Sequence, residues 1–327
     1  MRMRFGRPDL DAYAARFDVP AATGAFSVTF LGVSSLLFDD GEAAVLFDGF
    51  FSRPSLRKVV LGKVAPDTAR IGAALARVGL ARVEPTQIGL EGRVGGGRLA
   101  AVVPVHTHFD HALDCAVVAR RTGARLIGGE SAANIGRGHG LPTDQIVVVG
   151  ANEQVACGAF TLTFVESRHC PPDRFPGMIS RPVVPPVRAS AYRCGQAWSV
   201  LLRHASGRTA LMQGSAGYVP GALDGHAAQV VYLGVGQLGL QHEDYRRAYW
   251  AQTVQAVAAS RVVLTHWDDF FRSLALPLRA LPFAGDDLDV TMRQFCDLAE
   301  DQGVGLHLPT LWRREDPWTG LRQRANG

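Results

Sequence analysis

The stretch Val105-His106-Thr107-His108-Phe109-Asp110-His111 sets three imidazoles and a carboxylate within six residues, directly behind the apolar run at 101–105. Polar groups this dense are costly to bury without partners, so a plain core segment is a poor account of them. Imidazole nitrogen and carboxylate oxygen are the ligands that zinc and similar borderline metals take. The H-x-H-x-D-H spacing therefore predicts a metal site rather than a polar loop. Where a strand runs out into a loop, residues two apart face the same side, so His106 and His108 can grip one ion together. Asp110 and His111 fall where the next helix begins and can face a second position, about 3.5–4 Å away in two-metal hydrolases.

Each position needs further ligands, and two later histidines sit directly behind expected strands. His169 follows the run at 160–168, and His266 follows 261–265. His139, His204, His226, His242 and His307 lack that placement and read as surface or structural residues.

Outward from the cluster, residues 26–31, 34–38 and 43–47 read as strands, with Asp39-Asp40-Gly41 a hairpin signal. Residues 50–98 interrupt this run with a helix-like stretch at 67–80, ended by Gly79. A glycine-rich turn is expected at 92–97. Residues 112–121 read as a helix closed by Gly123. Further strands are expected at 124–127, 146–149, 159–165, 199–203, 209–212, 229–233 and 261–265. Helices are expected at 243–259 and at 286–302, the latter stopped by Gly303. Strands in succession, then helices alternating with strands, imply an α+β chain of two packed sheets with helices outside. The expectation is a single domain over 1–327, with a core at about 26–270 and a helical or tail extension at 271–327. That extension, with Trp312 and Trp318, would cover its own core or a neighbouring subunit. The Pro-rich segment 171–191 is irregular; segments this long inside a domain are usually functional, so it reads as a lid beside the site or as a surface excursion.

The composition is that of a globular protein: 47% hydrophobic and 20% charged residues over 327 positions. A formal charge of +4 without a Lys/Arg run argues against nucleic-acid binding. No stretch is long and apolar enough for a membrane span, and no apolar segment follows the basic start, so a cytoplasmic protein is expected. Five scattered cysteines, an odd number without C-x-x-C spacing, fit a reducing compartment.

Taken in order, Leu46-Phe47-Asp48-Gly49, then His106-Thr107-His108-Phe109-Asp110-His111, then His169, then His266 resemble the metallo-β-lactamase superfamily over roughly 26–270. The resemblance implies a four-layer αββα sandwich with metal at one sheet edge. His106, His108 and His169 would hold one zinc; Asp110, His111 and His266 would hold a second. Asp48 would be a buried carboxylate supporting the metal loops. One departure stands out. The family's bridging Asp follows a strand in a Gly-Asp turn, and the matching place here, Gln213-Gly214-Ser215, carries Ser215. A hydroxyl is a poorer zinc ligand than a carboxylate, so the second metal should bind more weakly. Asp114, one helical turn beyond Asp110 and His111, could compensate from behind the ligands or could simply suit the helix start.

Zinc lowers the pKa of its water toward about 7, and the resulting hydroxide could attack an ester, lactone or phosphodiester, with Asp110 orienting the water or taking its proton. Manganese or iron are alternatives to zinc. The Thr265-His266-Trp267-Asp268-Asp269-Phe270 ending resembles the lactonase and phospholipase-D-like branch, and the apolar residues of 171–191 suggest a small-molecule substrate with an apolar part. The contrasting expectation is a non-hydrolytic metal-binding protein, redox, sensor or scaffold, on the same fold. Two further motifs are weaker. Gly234-Val235-Gly236-Gln237-Leu238-Gly239 matches a dinucleotide fingerprint but does not open a helix directly. Gln213-Gly214-Ser215-Ala216-Gly217 approaches a nucleophile elbow, with Asp244 and His266 in the right order, but lacks the first glycine.

Overall fold

Two successive stretches of the chain each build one sheet. The computed structural model describes residues 4–80 and 97–321. The turn expected at 92–97 lies outside the described residues apart from Gly97. The first sheet takes β1 (Ser27–Phe30), β2 (Leu36–Asp39), β3 (Ala44–Phe47), β4 (Leu99–Val103), β5 (Arg125–Gly128) and β6 (Ile146–Val148). The second takes β7 (Gln154–Cys157), β8 (Phe160–Ser167), β9 (Ala197–His204), β10 (Thr209–Gln213), β11 (Val230–Gly234), β12 (Arg261–Thr265) and β13 (Gly305–His307). A last short strand, β14 (Arg314–Glu315), returns to the first sheet beside β1. The orders are β14-β1-β2-β3-β4-β5-β6 and β13-β12-β11-β10-β9-β8-β7.

The side-chain alternation of the strands decides the layering. Leu36, Phe38, Val45 and Phe47 face the core shared with Phe164, Val200, Tyr232 and Val263 of the second sheet. Their neighbours Leu37, Ala44 and Leu46 face the opposite way, onto α2 (Thr68–Arg77) and α4 (Cys115–Thr122). Strands buried on both faces read as continuous apolar runs, as here. The second sheet's outer face is covered by α6 (Glu243–Trp250) and α7 (Leu288–Gln302), through Tyr249, Trp250, Met292 and Phe295. This is the αββα sandwich that the sequence resemblance implied.

Local signals set the ends of these helices. Asp67 caps α2 by accepting from Ala69 N and Arg70 N, and Asp287 caps α7. Gly123 and Gly303 end their helices at φ +77° and +63°. Two of the helices show how packing alters expectation. The helix expected at 243–259 stops at Trp250 and continues as a π turn, Ala251–Gln255, where Thr253 Oγ1 donates back to Tyr249 O (2.6 Å). A helix at Glu130–Gly138, α5, was not expected from a segment ending in two glycines. Gly138 is required there because a Cβ would meet Val183 O at 1.9 Å.

Residues beyond 270 add α7 and one edge strand to each sheet, and Trp318 packs edge-on against Phe26 (5.3 Å) in the chain's own core. Among the described residues, no helix is long and apolar enough to cross a membrane.

Topology places the site. In the first sheet β3 to β6 pair in parallel, and in the second β10 to β13 do. β8 is antiparallel to β9, which is antiparallel to β10, so β8 runs with the parallel set. The carboxyl ends of β3, β4, β8, β10 and β12 therefore open toward one edge, where α/β sheets place their ligands.

Candidate metal centre

Each strand of that set leads to a polar residue. β3 leads to Asp48, β4 through Pro104 and Val105 to His106, β8 to His169, β10 to Ser215, and β12 to His266. His108 is the N-cap of the short helix α3 (Phe109–Ala112), which turns Asp110 and His111 inward. All six of His106, His108, His169, Asp110, His111 and His266 meet in two triads, and the donor atoms within each triad lie within 4.8 Å of one another.

The orientation of the rings suits a cation. His106 Nε2 lies 3.2 Å from His108 Nδ1, and His111 Nε2 lies 3.2 Å from His266 Nε2. Tetrahedral coordination at about 2.0–2.1 Å would space ligand nitrogens about 3.4 Å apart, so these pairs are set at a cation's grip. The second nitrogen of several rings is fixed by protein oxygen. His169 Nδ1 meets Cys170 O (2.7 Å), and His111 Nδ1 meets Asp48 Oδ2 (2.9 Å). Asp48 also accepts from Ser34 Oγ (2.6 Å) and Val105 N (2.9 Å), which ties β3, β4 and the first triad's entry together. Nδ1 of His106 and of His266 has no hydrogen-bond partner among the described residues.

Burial and charge set the protonation of the cluster. Burial, reinforced by the neighbouring imidazoles, holds His106 well below the usual histidine value. Burial and His108 push His169 down to about 4. Burial opposes the charge of His111, but the carboxylates of Asp48 and Asp110 hold its pKa above the usual value. Burial likewise opposes ionisation of Asp110, yet His111 and His266 hold it well below the carboxylate range. The first triad is thus three neutral rings with lone pairs turned inward, and the second carries an ionised carboxylate. Both donor sets fit a zinc-like cation.

Backbone strain gathers at the same edge. Val33, Asp48, Arg53 and His266 all have positive φ, between +39° and +61°. A β-branched residue there is a genuine outlier, and such positions cost about 1–3 kcal/mol each. Val33 is held by donating its N–H to Asp268 Oδ1 (2.7 Å) while its carbonyl accepts from His266 N (2.6 Å). Asp268 in turn pairs with Arg53 at 2.7 Å, both fully buried. Apart from His266 no role in this network was assigned from the sequence, where Arg53 and Val33 carried no signal and Asp268 appeared only within the 265–270 motif.

Asp114 and Ser215 each have protein partners of their own. Asp114 turns away from the triads and accepts from Phe51 N (2.8 Å), Ser52 N (2.7 Å) and Ser52 Oγ (2.6 Å). It fastens the 51–52 loop, and burial pushes its carboxyl up to about 6. Ser215 Oγ accepts from Cys170 N (3.1 Å), beside His169. The serine-hydrolase arrangement is absent among the described residues: the Asp244 side chain is 87% exposed and pairs with His242, while His266 faces His111. The glycine-rich 234–239 segment leads into a single 3-10 turn rather than a helix. Its Gly236 lies against His266, with an added Cβ only 2.6 Å from Nδ1.

Sequence reasoning also missed Asp173, Phe175 and Cys194. Asp173 Oδ1 lies 3.2 Å from His108 Nε2, and the Phe175 ring stands edge-on to His108 at 6.1 Å. Their signal was position alone: Asp173 and Phe175 lie inside the Pro-rich segment behind His169, and Cys194 just beyond it.

No protein-family model matches the sequence, and no match was found among curated proteins. Solved structures do match. Igni18, a metallo hydrolase of the archaeon Ignicoccus hospitalis, is 13% identical and superposes with a TM-score of 0.51 over 88% of this chain and 96% of that one. A protein of Veillonella parvula described as a possible metal-dependent hydrolase is 12% identical, with a TM-score of 0.53 over 89% of this chain and 99% of that one. CmlA of Streptomyces venezuelae, a diiron β-hydroxylase, is 14% identical with a TM-score of 0.48 over 93% of this chain, which spans 59% of CmlA. At these identities the likeness is one of fold.

Proposed function

We propose, from the premise that this chain has the fold of the metallo-β-lactamase superfamily, that it is a metal-dependent hydrolase acting on an ester, lactone or phosphodiester. The observation that carries the reading is the convergence of six donors, from the ends of β4, β8 and β12 and from α3, into two triads at one sheet edge. His106, His108 and His169 would hold the first cation, and Asp110, His111 and His266 the second. A divalent cation supplies Lewis acidity there, acidifying water and stabilising developing negative charge. Three neutral imidazoles would suit zinc, with manganese or iron as substitutes.

The chain's own groups do the rest. Asp110 Oδ2 lies 3.4 Å from His266 Nε2 and 3.7 Å from His111 Nε2. It is ionised at neutral pH and accepts a hydrogen bond from the attacking water. Its lowered basicity makes orientation its main task and proton removal the lesser one. Phe175 beside His108 and Phe270 beside His266 (5.7 Å between ring centres) flank the triads, where they exclude water and seat an apolar part of the substrate.

The test is metal content of the purified protein together with turnover of ester, lactone and bis-p-nitrophenyl phosphate substrates, with and without chelator. At least one zinc per chain and chelator-sensitive turnover that disappears in His108→Ala are expected. Full activity in the stripped protein, or in His108→Ala, would overturn the reading.

Ser215 favours a second reading, a metal-binding protein of the same fold that does not hydrolyse: a redox protein, a sensor or a scaffold. Its hydroxyl is engaged with Cys170 N, and among the described residues no carboxylate joins both triads. Tight metal without turnover of any of these substrates supports that alternative, and iron as the native metal points to redox chemistry.

A further inference from the structure

We infer that Asp173 is a positioning residue for His108, and that through it the 171–195 segment and the first metal position stabilise one another. The inference rests on the metal reading above.

His108 offers Nδ1 to the first triad, so its Nε2 carries the proton and points outward. That N–H is received by the segment behind His169. Nε2 hydrogen-bonds to Phe175 O (3.3 Å), and the Asp173 carboxylate stands beside it in ion-pair contact, with Oδ1 at 3.2 Å. A neutral imidazole has one donor and one acceptor nitrogen, so the group receiving the outer proton fixes which nitrogen faces a metal. The carboxylate is itself pinned, because Asp173 Oδ1 accepts from Phe175 N (3.0 Å). Phe175 O is pinned as well, accepting from Cys194 N (2.8 Å).

The far end of the segment clasps the same ligand loop from the other side. Thr107, between the two first-triad histidines, donates its N–H to Cys194 O (2.8 Å) and its hydroxyl to Arg193 O (2.5 Å). Gly195 N donates to Gly177 O (3.0 Å), closing the segment on itself. Both ends of the excursion therefore bind the turn 106–108. A segment with little secondary structure of its own owes its order to such contacts, and linkage requires the benefit to run both ways. A cation that orders His108 orders 171–195, and an ordered 171–195 raises affinity for the cation.

His108, Asp173 and Cys194 also form a set of donors close enough for a separate ion. That use would require His108 to give up its Nε2 proton and bridge two cations as an imidazolate. Donation of the N–H to Phe175 O, with the Asp173 carboxylate beside it, needs no such ionisation, and a carbonyl or carboxylate behind a ligating histidine is the usual arrangement.

The test is cobalt(II) titration of the stripped full-length protein, read by visible absorption and chelator competition, with amide hydrogen exchange across 171–195. In the parent protein, cobalt should slow exchange in that segment. Asp173→Ala should weaken the tighter cobalt site about 10–100-fold and abolish the cobalt-dependent slowing. Asp173→Asn, which keeps an acceptor oxygen, should recover part of the affinity and of the slowing. Three results overturn the inference: parental affinity and slowing in Asp173→Ala; an equal loss in both variants alongside a fall in melting temperature of the metal-free protein; or a third cobalt in the parent that Cys194→Ser removes. A parent that takes up no cobalt or zinc at all defeats the metal reading itself, and is told apart because the variants then differ in nothing.

Discussion

Gly236 measures how little room the second triad has. A methyl group on its Cα would lie 2.6 Å from His266 Nδ1 and 2.9 Å from Cε1, so the imidazole must rotate or its loop must shift. Overpacking of this kind costs about 1–3 kcal/mol, but the functional cost should be larger because His266 is aimed at His111. Gly236→Ala should lose the weaker metal equivalent while keeping the tighter one, as read by elemental analysis after dialysis. Retention of both would mean that the ring has another place to go. Ser215 makes the opposite test. An aspartate there would bring a carboxylate to the end of β10, beside the segment that holds His169. Ser215→Asp should tighten the second equivalent, measured by calorimetric titration; unchanged stoichiometry and affinity would place position 215 outside the metals' reach. At this scale the sequence disclosed the residues whose identity is unusual, three histidines and an aspartate in six positions. It did not disclose those whose identity is ordinary and whose place is special. Asp173 belongs to that second kind, because a lone Asp in a loop carries no signal until the chain is folded.

Elements joined across the two sheets hold the centre in register. The Arg53–Asp268 pair links the segment after β3 to the turn after β12, and Asp268 also fixes Val33, whose carbonyl holds the His266 backbone. Removing one partner of a fully buried pair leaves a charge without compensation, at a cost of about 3–5 kcal/mol. Asp268→Ala should lower the urea midpoint accordingly and loosen metal held by Asp110, His111 and His266 more than metal held by the first triad. A midpoint within error of the parent would show that Arg53 finds water or another acceptor. The strands that carry these turns were legible because each is a short apolar run between turn signals, as at 26–31, 43–47 and 261–265. The elements that escaped notice had their signal reversed by packing. In α5, Gly136 and Gly138 argue against a helix locally, yet the second is required where the backbone passes Val183. β7, with exposed Gln154 and half-buried Val155, is an edge strand with too little apolar content to stand out.

The whole molecule closes on itself through its C-terminal segment, and one buried carboxyl there should make stability depend on pH. Glu315 on β14 is 1% exposed; burial pushes its pKa up to about 7, against the pull of Thr310 N and of Arg313 at 2.8 Å. A folded-state value above the unfolded 4.5 means that the native state keeps a proton which the unfolded chain releases. Its contribution is fully present below pH 4.5 and is lost as pH rises through about 7, a change of roughly 3 kcal/mol. The buried imidazoles of His106 and His169 act with the opposite sign. Their lowered values give stability above the usual histidine pKa that is lost as pH falls. The two trends overlap, so the parent's own pH profile does not isolate Glu315, whereas the difference from Glu315→Gln does, because the imidazole contributions cancel. Urea denaturation of metal-free protein at pH 5 and pH 8 should show the parent losing roughly 2–3 kcal/mol relative to Glu315→Gln across that interval. A difference constant with pH would mean that Arg313 and Thr310 keep Glu315 ionised throughout, and that β14 is fastened by an ion pair rather than by a carboxyl group that must hold its proton.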